Sequence, residues 1–178
     1  MMPTEKELVE MPRHELSKSL KSLGSDTTYE YDRPNIEILE TFPAPKNSIR
    51  AGVTSLVLIS SPEFTSLCPK TGQPDFATII IEYLPRYLCV ESKSVKLYLG
   101  AYRQHRGFHE ECVAKILDDI EAATNPFWIA VQGRFTPRGG IPFWPLSVSS
   151  APDMTRDARE YTHSLSRLLR GDVPVAPR

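Results

Sequence analysis

Cysteine, net charge and long apolar runs are all scarce in this chain, and each scarcity removes a class of protein. The 178 residues hold three cysteines, Cys68, Cys89 and Cys112. A small, odd count argues against a disulfide framework and for free thiols in a reducing compartment, so at least one is available for chemistry. Lys and Arg number 21 against 22 Asp and Glu, which leaves no net field to draw the chain onto nucleic acid or an anionic membrane. No stretch approaches the length of a membrane span, and the charged segment MMPTEKELVEMPRHELSKSLKSLG lacks the apolar run of a signal peptide. The expectation is a cytoplasmic protein with no nucleic-acid and no membrane partner. Also missing are a Gly-rich phosphate loop, a paired CxxC and a G-x-S-x-G, so those common readings fall away.

What is present fits one domain, long enough to bury a real core, although small domains often finish the job with oligomer contacts. Residues 1–23 read as a partly disordered N-terminal arm in which Leu16, Leu20 and Leu23 ahead of Gly24 allow a short helix. Residues 24–178 read as the folded unit. Alternation and β-branched composition predict strands over 35–42, 51–60 and 76–84. Val95, Tyr98, Leu99 and Tyr102 fall at helical spacing, with Ser92 or Ser94 as N-cap. After Gly107 the set Val113, Ile116, Leu117 and Ile120 repeats that spacing, with Glu110 and Glu111 in the first turn. Residues 127–135 read as a strand, 136–146 as a Pro-rich turn into another, and 154–170 as a surface helix stopped by Gly171. Strands on both sides of a helix pair imply an α+β fold, with helices laid on one face of an antiparallel sheet.

The segment SLCPKTGQPDF, residues 66–76, links two of these strands and puts Cys68 seven residues before Asp75. A free cysteine is ordinarily a small buried hydrophobe, and an aspartate here is ordinarily the start of a strand. The sharper reading is a thiol nucleophile whose ionisation is favoured by the N–H groups of a tight turn. Asp75 would then carry the proton, its pKa raised by an apolar or substrate-covered site beside Pro74 and Phe76. On the residues alone both readings stay open. So does a zinc site, in which His109 and Cys112 join Cys68 as three ligands, against a solvated helix start with Cys112 on the buried face. Glu110 suits the N–H edge of a guanine-like base, from which a carboxylate accepts two hydrogen bonds. Lys93, Lys96, Arg103, Arg106, Arg134 and Arg138 are each ordinarily solvated charges. Arg138-Gly139-Gly140 stands out, because two glycines let backbone amides approach an anion such as the phosphate of a cofactor.

The strings EFTSLCPKTGQPDFATIIIEYLP, CVESKSVKLYLGAYRQHRGFHEEC and GRFTPRGGI, in that order, closely resemble the NADPH-dependent nitrile reductases of queuosine biosynthesis. Members of that family convert 7-cyano-7-deazaguanine to 7-aminomethyl-7-deazaguanine. The resemblance runs from about 23 to 146, is most specific in ESKSVKLY, and is to the short, single-module form of the family. It implies the tunnelling fold, an antiparallel sheet with two helices on one face, assembled into ring-shaped homo-oligomers, pentameric and able to stack as decamers. It implies Cys68 as nucleophile forming a covalent thioimide and Asp75 as proton donor. It further implies Val90, Glu91, Ser92, His109 and Glu110 around the deazapurine, and Ser92, Lys93, Lys96, Arg138 and Gly139 around NADPH. Two hydride transfers and no metal are implied, with Cys112 as a redox partner thiol for Cys68. The stretch from Pro145 onward departs from the family pattern. The rival readings are a zinc-dependent, GTP cyclohydrolase-like enzyme of the same fold and a non-catalytic purine-binding protein.

Overall fold

The alternating segment PDFATIIIEYL forms the strand around which the rest of the computed structural model is arranged. The structure describes residues 31–45, 49–50 and 53–169; the expected N-terminal arm with its short helix, and Gly171, lie outside the described residues. In chain order a 3-10 turn, Ile36–Ile38, precedes β1 (Thr41–Pro43), β2 (Ile49–Arg50), β3 (Val53–Thr54), β4 (Val57–Leu67), β5 (Pro74–Leu84) and β6 (Leu88–Val90). Then follow α1 (Ser92–Gly100), α2 (His109–Thr124), β7 (Trp128–Arg138), β8 (Ile141–Phe143), β9 (Leu146–Ser150) and α3 (Arg156–Leu169). β4, β5 and β7 lie side by side and antiparallel, and the far edge of β7 is shared, β9 pairing with its first half and β8 with its end. β1 and β6 form a separate antiparallel pair.

Alternation divides the sheet into two faces. Ala77, Ile79, Ile81 and Tyr83 from β5 meet Ile129, Val131 and Phe135 from β7, and α1 and α2 close over them. At about 1.5–3 kcal/mol per fully buried aliphatic side chain, Val113, Ile116, Leu117 and Ile120 of α2 contribute roughly 6–12 kcal/mol before conformational entropy is subtracted. The Glu111 carboxylate accepts from the Phe108 N–H at 2.9 Å at the start of α2. Asn125, at φ 43, ends it by donating its N–H to the Glu121 carbonyl at 2.8 Å. The two expected helices therefore share one face. α3 lies on the other, where Trp128, Ala130 and Met154 cluster and His163 meets the Trp128 ring edge-on at 5.4 Å.

Several local expectations are corrected. Residues 35–42 do not form one strand: the Asn35 side chain accepts from the Glu37 N–H at 3.1 Å and caps the 3-10 turn, so the paired strand begins only at Thr41. The N-cap of α1 is Glu91, whose carboxylate accepts from the Ser94 N–H at 2.8 Å, while the Ser94 hydroxyl donates to the Glu91 carbonyl. β4 does not stop at Ser60. It passes Pro62 through a register shift between Ser61 and Phe64 and runs to Leu67, which an edge strand tolerates because proline forfeits no ladder bond there. β7 likewise runs on to Arg138. Segment 66–76 is thus less loop than expected. Ser66 pairs with Asp75 and Leu67 with Pro74, and only residues 68–73 form the connection.

Candidate active site

The 68–73 connection is a tight hairpin that presents the Cys68 sulfur to a ring of donors. The Cys68 N–H donates to the Gln73 carbonyl at 2.8 Å, and the Gly72 N–H donates to the Cys68 carbonyl at 2.9 Å. Gly72 takes φ +70, a conformation costly for any residue with a Cβ. The turn brings the Thr71 hydroxyl and the Thr71 and Lys70 amides onto the thiol, with a further hydrogen bond from Arg138. Donors favour the anion, and they lower the Cys68 pKa from 9.0 to about 7. The link from α1 to α2 is laced to the end of β4. The Leu67 N–H donates to the His105 carbonyl at 2.9 Å and the Gly107 N–H to the Leu67 carbonyl at 3.2 Å, which sets the start of α2 beside the hairpin.

Asp75 lies across the strand pair from Ser66 and is 4% exposed. Its Oδ2 is 3.2 Å from Nε2 of His109, the first residue of α2, and its Oδ1 is ion-paired with the Arg138 guanidinium. Desolvation lowers the His109 pKa, with the Glu110 charge opposing it, so a neutral imidazole donates Nε2–H to the carboxylate at neutral pH. The imidazole lies flat on Phe135, ring centroids 3.8 Å apart and planes at 10°, and Phe143 stands tilted at 5.7 Å. The expectation for Asp75 is met in its burial. Its surroundings differ: Pro74 and Phe76, its neighbours in the strand, are exposed and do not shield it, and a histidine and an arginine attend the carboxylate in place of apolar walls.

The structure therefore brings Cys68, Asp75, His109 and Arg138 together, with Glu110 exposed next to His109. Arg138 is half-exposed at the β7–β8 hairpin. There Gly139 at φ +56 and Gly140 at φ +81 are so open that a Cβ on either meets nothing within 4 Å. Val90 is buried and donates its N–H to the Tyr83 hydroxyl at 3.1 Å. Glu91 is buried as the cap of α1, one oxygen taking the Ser94 N–H and the other the Ser92 hydroxyl at 3.2 Å. Ser92 and Lys96 line a cleft of about 590 Å³ between β4 and α1, together with Tyr31, Ser61, Glu63 and Arg103; Cys68 and Asp75 are not among its walls. Lys93 is half-buried in the first turn of α1. Cys112 is buried below the site, its thiol pushed up to about 11 by desolvation despite the lowering influence of the Ser66 hydroxyl. Cys89 is a core thiol, also raised by burial.

Two residues of the site were not singled out in the sequence. Thr71 carried a usable signal, a hydroxyl residue in a tight turn just after a cysteine. Phe135 carried none beyond its place in a strand. Among the described residues no three His, Cys, Asp or Glu side chains are grouped to hold a metal ion, and no helix is long and apolar enough to cross a membrane.

Comparison with known proteins points in one direction. Residues 74–153 match the family model described as QueF-like protein. The NADPH-dependent 7-cyano-7-deazaguanine reductase of Staphylococcus epidermidis is 49% identical over 138 residues, which is 76% of this chain and 80% of the relative. The protein of the same name from Nitratidesulfovibrio vulgaris is 48% identical over 126 residues, covering 70% and 73%. That from Streptococcus thermophilus is 47% identical over 135 residues, covering 76% and 80%. Among solved structures, the archaeosine synthase QueF-Like in its apo form superposes with a TM-score of 0.51 at 26% identity, over 55% of this chain and 95% of that one.

Proposed function

This chain belongs to the family of NADPH-dependent 7-cyano-7-deazaguanine reductases, and on that premise we propose that it reduces the nitrile of 7-cyano-7-deazaguanine to the primary amine through a covalent intermediate on Cys68. Its fold is the tunnelling fold of the family. The observation that carries the mechanism is a thiol poised near pKa 7 beside a buried, histidine-bonded carboxylate.

A nitrile accepts hydride poorly. Addition of the Cys68 sulfur to its carbon, with the thiol proton taken up by the Asp75 carboxylate and passed on to nitrogen, converts it to a thioimide whose imine-like carbon is readily reduced. Expulsion of the sulfur after the first reduction leaves an imine for the second, which accounts for the four electrons between nitrile and amine. NADPH, when bound, supplies the hydride for each of these reductions. Glu110, exposed beside His109, accepts from the N–H edge of the base, and His109 holds Asp75 toward the reacting nitrogen. Val90, Glu91 and Ser92 would complete the deazapurine pocket from beside the β4–α1 cleft, whose walls within one chain do not include Cys68 or Asp75, so a neighbouring subunit would bring the two parts together; Glu91 would act through its backbone because its carboxylate caps α1.

The donor set fits a phosphate-bearing cofactor. Arg138 is half-exposed beside two glycines whose backbone faces open space, and Lys96 and Arg103 line one cleft with Ser92. Arg138 and Gly139 of one subunit, with Ser92, Lys93 and Lys96 beside the cleft of a neighbouring one, would hold it. The exposed apolar row Ile141, Phe143, Trp144, Leu146 and Val148 at the β8–β9 edge supports assembly into pentameric rings, stacked as decamers. The cytoplasm is the compartment that keeps such a thiol reduced.

The test is to mix the protein with 7-cyano-7-deazaguanine alone. The wild type should gain the mass of the compound and a near-ultraviolet band, and Cys68→Ala should show neither. NADPH consumption by a wild type that never acquires the adduct removes the covalent route; if NADPH is not consumed either, the reductase reading fails.

A further inference from the structure

The His109 ring makes two kinds of contact: an edge contact through Nε2 to Asp75 at 3.2 Å, and a face contact with Phe135, almost parallel at 3.8 Å. The second contact constrains the first. A histidine at the first residue of a helix has two free torsions, and a hydrogen bond through one nitrogen leaves the ring able to swing about that bond. A ring pressed flat beneath it removes the swing. Phe143 tilts against the same imidazole at 5.7 Å, so the histidine sits in an aromatic slot, open at its edge to the carboxylate.

The strand is built to leave room for this floor. Gly133 lies two residues before Phe135 on the same face of β7. A Cβ on it would come within 2.7 Å of Phe135 Cε2 and 2.8 Å of Val113 Cγ2, closer than real Cβ contacts come. Any side chain at 133 would therefore drive the Phe135 ring off its seat or push α2, which carries His109, away from the sheet. Phe135 is 2% exposed and meets Phe64 edge-on at 6.2 Å, so the ring is wedged from behind as well.

We propose that Phe135 is a positioning residue, the floor that fixes the His109 imidazole and through it the Asp75 carboxylate in the geometry proton transfer needs, with Gly133 as the blank that lets the ring lie there. This rests on the reductase reading for its catalytic consequence, but the positioning itself does not. His109 is faced by Asp75 of β5, whose other carboxylate oxygen holds Arg138 of β7, and by Glu110 of its own helix; the contact that Phe135 keeps in register is the one between His109 and Asp75.

The experiment begins with the wild-type protein and no substrate. The His109 ring protons, followed by NMR, should resonate upfield under the Phe135 ring current and titrate below an ordinary histidine; unshifted resonances with an ordinary midpoint overturn the proposal, whatever reaction the protein runs. Phe135→Leu and Gly133→Ala should each move those signals downfield while leaving Cys68 alkylation unchanged. In turnover, Phe135→Leu should lower kcat on the order of 10–100-fold, the range expected for misplacing a catalytic group by about an ångström. The double variant Phe135→Leu/His109→Ala should be no slower than His109→Ala alone. Losses that instead multiply mean that Phe135 acts through general packing and sink the idea. If the wild type reduces no nitrile, the reductase reading fails and the NMR result still decides the positioning claim.

Discussion

Asp75 and Glu82 stand on the same strand, β5, are 4% and 2% exposed, and point to opposite faces of the sheet. Asp75 shares the α1–α2 face with the core. It adjoins a hairpin bearing a thiol of lowered pKa and is held by a neutral histidine and by an arginine that is itself half in solvent. Glu82 faces α3 and takes a hydrogen bond from the Ser166 hydroxyl, itself fully buried. Burial therefore does not single out Asp75 for the acid role proposed for it. What distinguishes Asp75 is that it is held by a titratable histidine and a half-exposed arginine, whereas the Ser166 hydroxyl on Glu82 is a neutral group buried under α3.

The largest expected effect lies at the sulfur that makes Asp75 useful. Cys68→Ala should lower turnover by at least about 10⁴-fold, as loss of a covalent nucleophile does. Asp75→Asn should follow with a loss of about 10²–10⁴-fold, the range for general acid–base groups. By contrast Glu82→Gln should leave kcat/KM within about twofold and lower stability by about 1–3 kcal/mol in urea denaturation, the cost of disturbing a buried hydrogen-bonded group. A Glu82→Gln enzyme as slow as Asp75→Asn would erase the contrast.

Arg138→Gln sharpens it from the other side. A charge-assisted contact is worth about 1.5–3 kcal/mol, so KM for NADPH should rise roughly 10–100-fold, whereas an unchanged KM would confine Arg138 to the Asp75 ion pair. A smaller effect is expected at Thr71. Because the thiolate is the reactive form, iodoacetamide labelling of Cys68 should accelerate as pH rises through about 7 and then level off. Removing a donor from the anion in Thr71→Val should move that midpoint upward toward 9.0. An unmoved curve would assign the activation to the turn amides and Arg138. The least effect on turnover is expected at Cys112. Oxidant should join Cys68 to Cys112 and cost the wild type two thiols in a thiol count, and a Cys112→Ala protein that still forms an intramolecular bond would dismiss that protective role.

Much of the fold was legible because the signals are local. The spacing of Val113, Ile116, Leu117 and Ile120 and the β-branched run in FATIIIEYL both describe faces that a core must cover, and α2 and β5 appear where those periods lie. The errors came where a local rule met a competing contact. NIEILETF alternates like a strand, yet the Asn35 side chain captures the Glu37 amide and winds the start into a 3-10 turn. Ser61-Pro62 looks like an end, yet an edge strand absorbs the proline in a bulge. Serines at 92 and 94 look like caps, but Glu91 holds that place and the Ser94 hydroxyl binds the Glu91 carbonyl instead.

The amino-acid order alone settled which groups could do chemistry: a cysteine in a glycine-containing turn, an aspartate at the next strand, a histidine opening a helix, an arginine ahead of two glycines. Those identities are chemical and survive in one dimension. Which of them meet was decided only in three dimensions. The β4–β5 and β7–β8 hairpins and the start of α2 converge through strand register and the His105–Leu67 backbone bonds, and such convergence links residues up to 70 positions apart, Cys68 and Arg138, that no local pattern connects. The aromatic floor under His109 belongs to the same class: a flat contact at 3.8 Å is a property of packing, set by a missing side chain at Gly133 as much as by the ring at Phe135.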